Sequence, residues 1–105
     1  MNKEANRHPE YYEAILQIRP ARDDVLGFVE QLVNARNDTQ ISKVIELKTG
    51  YDVYLSNQRF ARGALVGQLR RKFRDGKITI TKALYGQHKM SSKLVYRATV
   101  LFRFG

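Results

Sequence analysis

The sequence predicts an α+β domain in which two helices pack on one face of a mostly antiparallel sheet. Apolar and polar residues alternate in five segments, which is the period of a strand, and apolar residues recur every three or four positions in two others, which is the period of a helix. These segments follow the order βαββαββ along the chain. Amphipathic helices and a sheet bury their apolar surfaces against each other, so the expected architecture is a two-layer sandwich related to the split βαβ plan.

The first strand and the first helix follow a polar lead-in. Residues 1–9 form that lead-in, and we expect one folded domain over residues 10–105. The run YYEAILQIR alternates and predicts the first strand. Pro20 follows, and the stretch ARDDVLGFVEQLVNARN then repeats its apolar residues at helical spacing. Two aspartates at the start of this stretch suit the positive end of a helix dipole.

A hairpin is predicted next. The run SKVIELKTGYDVYLS alternates on either side of Thr49 and Gly50, a pair typical of a turn. We expect the two strands of the hairpin to share one apolar face, made of Ile45, Leu47, Val53 and Leu55.

The second half of the chain predicts a helix and two further strands. Ser56 suits the cap of a helix over residues 57–74, which Asp75 and Gly76 end. The remaining segments are, in order, the strand KITITKALY, the polar loop GQHKMSS and the strand KLVYRATVLFRF.

The predicted second helix has an apolar face and an arginine face. At about 100° per residue, the apolar face consists of Phe60, Ala61, Ala64, Leu65 and Leu69. The other face consists of Arg59, Arg62, Arg70 and Arg74, with Val66 among them and Arg71 and Lys72 toward the edges. The helix dipole favours cations in the last turn but opposes them in the first turn, where no acid lies three or four residues away. The arginine face is therefore either a solvated helix surface or a contact for phosphate, which the planar guanidinium binds through two oxygens at once.

Several residues on the predicted strands face away from the expected core. They are Tyr54, Tyr85, Arg97 and Arg103. Exposed aromatic rings beside arginines can stack on nucleic-acid bases, but aromatic residues are also good strand formers. We interpret these residues as ordinary strand residues.

Composition limits the classes of protein to which the chain can belong. A chain of 105 residues with 43% hydrophobic residues supports one domain with a real core. It has no cysteine, which removes disulfides and thiolate zinc sites. No segment approaches the roughly 18 apolar residues of a membrane span, and no signal peptide is visible, so we expect a cytoplasmic protein without a membrane partner. Metal-ligand spacing and catalytic motifs are also missing, and we expect no enzyme.

The charge of the chain is strongly segregated. The net charge is +9, yet residues 1–55 hold seven Lys/Arg and nine Asp/Glu, whereas residues 56–105 hold twelve Lys/Arg and one acid, Asp75. Segregation of this size indicates a polyanionic partner, of which nucleic acid is the commonest and anionic lipid the second. A clustered charge that serves solubility is the remaining interpretation.

Three stretches resemble a known family. They are YYEAILQIR, GYDVYLSNQRFARGALVGQLRRKF and KMSSKLVYRATVLFR. Together they are similar to the middle of an archaeal member of the family of the eukaryotic large-ribosomal-subunit export adaptor, which is named after nonsense-mediated mRNA decay. The resemblance covers the chain from about Tyr11 to Phe104. It implies a factor that binds the large subunit late in assembly, and in a cell without a nucleus it implies assembly, quality control or subunit-joining control rather than export.

The chain departs from the family pattern in one respect. Family members begin with a zinc-binding region of paired Cys-x-x-Cys motifs, and no cysteine is present here. Either the chain is a domain of a longer protein, which we expect, or it is a shortened relative. Zinc and the export receptor are expected only outside this segment, and no cofactor is expected within it.

We expect a non-catalytic, monomeric domain that binds ribosomal RNA of the large subunit, with ribosomal proteins as a further expected partner. The residues expected to contact RNA form one continuous basic surface. They are Arg59, Arg62, Arg70, Arg71, Lys72, Arg74, Lys77, Lys82, Lys89, Lys93 and Arg97. Two alternatives remain: a protein-docking module of an assembly factor, and a small-ligand regulatory domain, which would form a dimer around its ligand.

Overall fold

The computed structural model describes the backbone of residues 11–88 and 93–105, and the side chains of residues 11–83 and 96–105. Within these described residues, five strands and three helical segments follow one another. They are β1 (Ala14–Arg19), α1 (Asp23–Asn34), β2 (Ile41–Leu47), β3 (Gly50–Leu55), α2 (Gln58–Arg62), α3 (Ala64–Lys72), β4 (Lys77–His88) and β5 (Lys93–Arg103). The predicted α+β class and the mostly antiparallel sheet are confirmed.

The five strands form one sheet in the order β2-β3-β1-β5-β4. The pairing of β1 with β5 is parallel, and the other three pairings are antiparallel. The first strand therefore lies at the centre of the sheet, between two strands that come much later in the chain. This order could not be predicted from the period of the sequence, because alternation marks a strand but not its neighbours.

One face of the sheet is buried. In register, Leu16 on β1 lies opposite Val53 on β3 and Val100 on β5, and all three side chains are inaccessible to solvent. The helices supply the rest of the same core, as the apolar spacing predicted. Their buried residues are Val25, Val29 and Val33 on α1 and Phe60, Ala61, Leu65, Val66 and Leu69 on α2 and α3.

The hairpin forms as predicted, but its apolar faces differ from the prediction. The turn at Lys48 and Thr49 sets Leu47 opposite Gly50, and Ile45 therefore lies opposite Asp52 rather than beside Val53. Side chains of directly opposed residues point to the same face of a sheet. Ile45 and Leu47 consequently lie on the face away from the core and are 36% and 39% exposed.

The strand β4 is longer than predicted, whereas β5 ends one residue before its predicted end. The segment GQHKMSS was expected to form a loop, yet Gly86, Gln87 and His88 pair with the start of β5. The register shifts between Leu84 and Gly86, which marks a bulge that the extended ribbon accommodates. Within the described residues, no helix is both long enough and apolar enough to span a bilayer.

Candidate nucleic-acid interface

The predicted arginine helix begins one residue later than expected. Asn57, not Ser56, is its N-cap, and the Asn57 side-chain oxygen accepts a hydrogen bond from the backbone N–H of Phe60 at 3.0 Å. Ser56 is buried instead, and its hydroxyl accepts from the Gln40 backbone N–H at 2.9 Å. Ser56 therefore links the helix entry to the segment before β2, and the prediction that it caps the helix is wrong.

Gly63 divides the predicted single helix into α2 and α3. Its backbone has φ −110° and ψ −89°, and its N–H is shared between the carbonyls of Arg59 and Phe60. A helical wheel assumes a straight helix, so it does not predict the side-chain directions on both sides of such a break. Val66, expected among the arginines, is buried, and Ala64, expected in the core, is exposed.

Most of the predicted helix cations lie at the surface. Those that are exposed are Arg59, Arg70, Arg71, Lys72 and Arg74. Arg62 is half-buried, and its Nε is buried without a hydrogen-bond partner among the described residues. We call Arg70, Arg71, Lys72 and Arg74 the α3 cation cluster, because they follow one another at the end of that helix.

No carboxylate neutralises the α3 cation cluster within the described part of the chain. The ion pairs between described residues all lie elsewhere: Arg19–Asp52, Arg22–Asp24 and Arg36–Asp38, at 2.7 to 2.9 Å. Three arginines of the first half are thus paired with acids, whereas the cations of α3 face solvent. The dipole at the helix C-terminus stabilises them only by roughly 0.3–1 kcal/mol each. The cluster is a surface of unbalanced positive charge.

The two arginines of α2 lie in a different electrostatic environment. A cleft of about 560 Å³ opens beside them. It is lined by Glu13, Asp38, Ser56, Asn57, Gln58, Arg59 and Arg62. Glu13 accepts a hydrogen bond from the Gln58 backbone N–H at 2.9 Å, so its carboxylate is held at the start of α2. The two guanidinium groups of α2 thus share their cleft with two carboxylates, although Asp38 pairs with Arg36. The α3 cation cluster has no such acids beside it among the lining residues of this cleft.

Phe73 anchors the end of α3 to the core. Its ring packs edge to face against Phe28 of α1 at 5.6 Å and contacts Phe102 and Phe104 at 6.2 and 6.3 Å between centroids. Phe73 is 8% exposed, although it lies between exposed cations on either side in the sequence. The buried ring therefore holds the backbone of the α3 cation cluster against the body of the domain.

The remaining predicted contact residues do not continue the helix surface. Lys77 lies opposite Arg103, and Arg97 lies opposite Ala83, so both belong to the sheet face away from the helices. Lys82 lies opposite the buried Ala98, on the helix side of the sheet, with its Nζ 5.3 Å from the centroid of Tyr96. The expected single basic surface is therefore divided between two faces, because alternation along a strand sends successive side chains to opposite sides.

Two of the predicted contact residues have no described side chain. Lys89 lies outside the described residues. Lys93 begins β5, where its backbone pairs with His88, and its side chain is not described.

The sheet face away from the helices holds residues that the sequence analysis did not connect. Lys43 and Tyr12 were not singled out, yet they flank Tyr54 on this face. The face of Lys43 follows from that of Ile45, because side chains two residues apart on a strand point to the same side. The face of Ile45 in turn follows once the length of the hairpin turn is known. For Tyr12, the alternation of YYEAILQIR pointed to the same face as Ala14. The strand begins only at Ala14, so this alternation does not apply to Tyr12.

A family model described as NMD3, second domain, matches residues 11–104, which is nearly the whole chain. No curated protein matches the chain. The match spans all five strands and all three helical segments. The chain therefore belongs to the NMD3 family and corresponds to the second domain of its members.

Proposed function

We propose that this domain binds ribosomal RNA of the large subunit through the α3 cation cluster, as a non-catalytic factor of late assembly or of subunit-joining control. The observation that supports it is the lack of a carboxylate partner for Arg70, Arg71 and Arg74 among the described residues. The NMD3 family is a ribosome-related family of assembly and export adaptors, which agrees with this role. In an archaeal member, assembly or joining control is the role that remains.

The chemistry of the cluster suits RNA phosphates. Guanidinium groups bind phosphate through two parallel hydrogen bonds, and they release condensed counterions from the nucleic acid when they do so. A row of such groups on one helix end follows the shape and backbone of a folded RNA rather than its sequence. We therefore expect tight binding to depend steeply on salt and to discriminate by shape.

The test is binding to purified large ribosomal subunits across a salt series. The double variant Arg70→Ala/Arg71→Ala should weaken binding at least about fivefold and lower the salt slope by about 2, since each lost phosphate contact removes about 0.9 from the slope. The matched control is Arg36→Ala, which removes an exposed arginine that Asp38 already neutralises. It should leave the slope almost unchanged.

The proposal fails if the double variant and the control behave alike. Equal binding of the wild-type domain to large and small subunits would also contradict it, because the partner would then be any polyanion.

Protein docking is a second candidate function, and the edge strand β2 favours it. Val44, Ile45 and Leu47 are 36% to 39% exposed on this strand, which pairs with β3 and with no other described strand. An apolar edge strand is a typical site for pairing with another chain. Binding to subunits that persists after nuclease digestion of exposed RNA, and that Ile45→Lys abolishes, would support docking on a ribosomal protein.

A further inference from the structure

Three cations lie side by side on the sheet face away from the helices. Register sets Arg19 on β1 opposite Arg103 on β5, and Arg103 opposite Lys77 on β4. Arg19 is neutralised by Asp52, at 2.7 Å between Nη2 and Oδ1. Arg103 and Lys77 are exposed and form no ion pair with a described residue. Like charges directly opposite each other destabilise a sheet, so this row is stabilised when an anion lies on it.

Two tyrosines and two cations cross the other end of the same face. The rings of Tyr12 and Tyr54 meet edge to face, with centroids 4.8 Å apart. The guanidinium carbon of Arg97 lies 3.9 Å from the centroid of Tyr12, and Lys43 Nζ lies 4.7 Å from that of Tyr54. None of these four side chains is buried. Aromatic rings bordered by cations are the combination that stacks bases and neutralises the adjoining phosphates.

The surface between these two groups is only partly apolar. It is formed by Ile15, Gln17, Thr79, Thr81, Thr99 and Leu101, and each of these side chains is exposed or half-buried. From Arg97 to Arg103 the strand covers roughly 20 Å at about 3.3 Å per residue. Among the side chains that the structure describes, this face carries five cations and one acid, Asp52, which is already paired. We call it the open sheet face.

We propose that the open sheet face binds a single-stranded RNA segment, with bases against Tyr12 and Tyr54 and phosphates on Arg103 and Lys77. The charge of the face complements a phosphate backbone, and its two half-buried rings lie beside cations, where unpaired bases can stack on them. The proposal shares RNA as partner class with the proposed function. It uses no residue of α2 or α3, so it is a second surface.

The experiment measures binding of short oligo(U) and oligo(A) single strands, and of an RNA duplex of equal length, by fluorescence anisotropy across a salt series. Lys77→Ala/Arg103→Ala should weaken single-strand binding and lower its salt slope by about 1.4, at about 0.7 per phosphate of a single strand. Tyr54→Leu should weaken it about fivefold or more with the slope unchanged, because stacking is lost and no charge is removed. Both variants replace side chains outside the core, and thermal melting checks their folding.

The helix variant Arg70→Ala/Arg71→Ala separates this proposal from the proposed function. Loss of single-strand binding in the sheet variants, with little change in their duplex binding and with single-strand binding retained in the helix variant, supports the open sheet face. If Tyr54→Leu binds single strands as tightly as the wild type, or if the domain prefers the duplex over single strands, the proposal is overturned. Neither result would affect the assignment of the α3 cation cluster, which rests on ribosomal subunit binding.

Discussion

Gly76, in the turn between α3 and β4, lies against the ring of Phe102 on β5. A methyl group at its Cα would come within 2.2 Å of Cε1 of that ring. The ring is fully buried and also packs on Phe104 at 4.7 Å between centroids. The turn that follows α3 thus packs closely against the core, and this close approach requires that residue 76 have no side chain.

Gly76→Ala should therefore destabilise the domain. Overpacking of a core by one methyl group typically costs about 1–3 kcal/mol, and urea denaturation should show a loss of that size. The matched control is Gly67→Ala in α3, where an added methyl group meets nothing within 4 Å. Because alanine is favoured over glycine in a helix by about 1 kcal/mol, the control should gain stability. Equal effects of the two substitutions would contradict this packing.

Asn57→Ala should lower the free energy of unfolding by about 1 kcal/mol, since it removes the acceptor for the Phe60 N–H at the start of α2. Asn57→Ser retains a side-chain oxygen at the cap and should recover most of the loss. Thermal melting of the three proteins checks the prediction. A serine variant as unstable as the alanine variant would show that the cap bond does not stabilise the helix.

Phe73→Ala should destabilise the domain by about 3–5 kcal/mol, the usual loss when a buried phenylalanine is truncated. Its ring contacts Phe28 on α1 and Phe102 on β5, so its removal opens a gap between three elements. Phe73→Leu fills most of the gap and should lose much less stability. Chemical denaturation of both variants measures the difference, and a loss below about 1 kcal/mol for Phe73→Ala would contradict the anchoring role.

The pKa of Tyr51 should lie well above the ordinary tyrosine value of 10. Its hydroxyl donates a hydrogen bond to Asp23 Oδ1, and that bond together with burial raises the pKa of Tyr51 to about 12. The difference in alkaline absorbance between wild type and Tyr51→Phe isolates this group. Asp23→Asn should bring its pKa back toward the ordinary value of 10.

The raised pKa also sets a pH dependence of stability. Because the folded state holds the Tyr51 proton more tightly than the unfolded state, the contribution is complete below pH 10 and is lost as the pH rises toward about 12. The stability difference between wild type and Tyr51→Phe should shrink across that interval. A constant difference would contradict the hydrogen bond to Asp23.

Local periodicity was sufficient to predict the buried face of those elements that contact the core on one side. The spacing of Val25, Val29 and Val33 predicted the buried face of α1, and the alternation of Leu16 and Ile18 predicted the buried face of β1. These predictions succeed because the direction of a side chain within one element follows from the geometry of that element alone.

The predictions that failed depended on a contact between two elements or on an irregularity within one element, such as a helix break. The burial of Val66 depends on the break at Gly63, which a wheel for a straight helix omits. The exposure of Ile45 depends on the two-residue turn, since one further residue in the turn would reverse the face of the strand. The cap at Asn57 depends on Ser56 having a different partner, the Gln40 N–H.

By itself the sequence determined the α+β class, the core faces of the main elements and the concentration of positive charge after Ser56, because these follow from composition and local period. Only the tertiary structure decided where that charge lies. Strand pairing sets Arg103 between Arg19 and Lys77 on the open sheet face, whereas Phe73 holds the α3 cation cluster on the other side. The physical reason is that a strand's neighbours and register are chosen by contacts between residues far apart in the chain, and no local pattern records them.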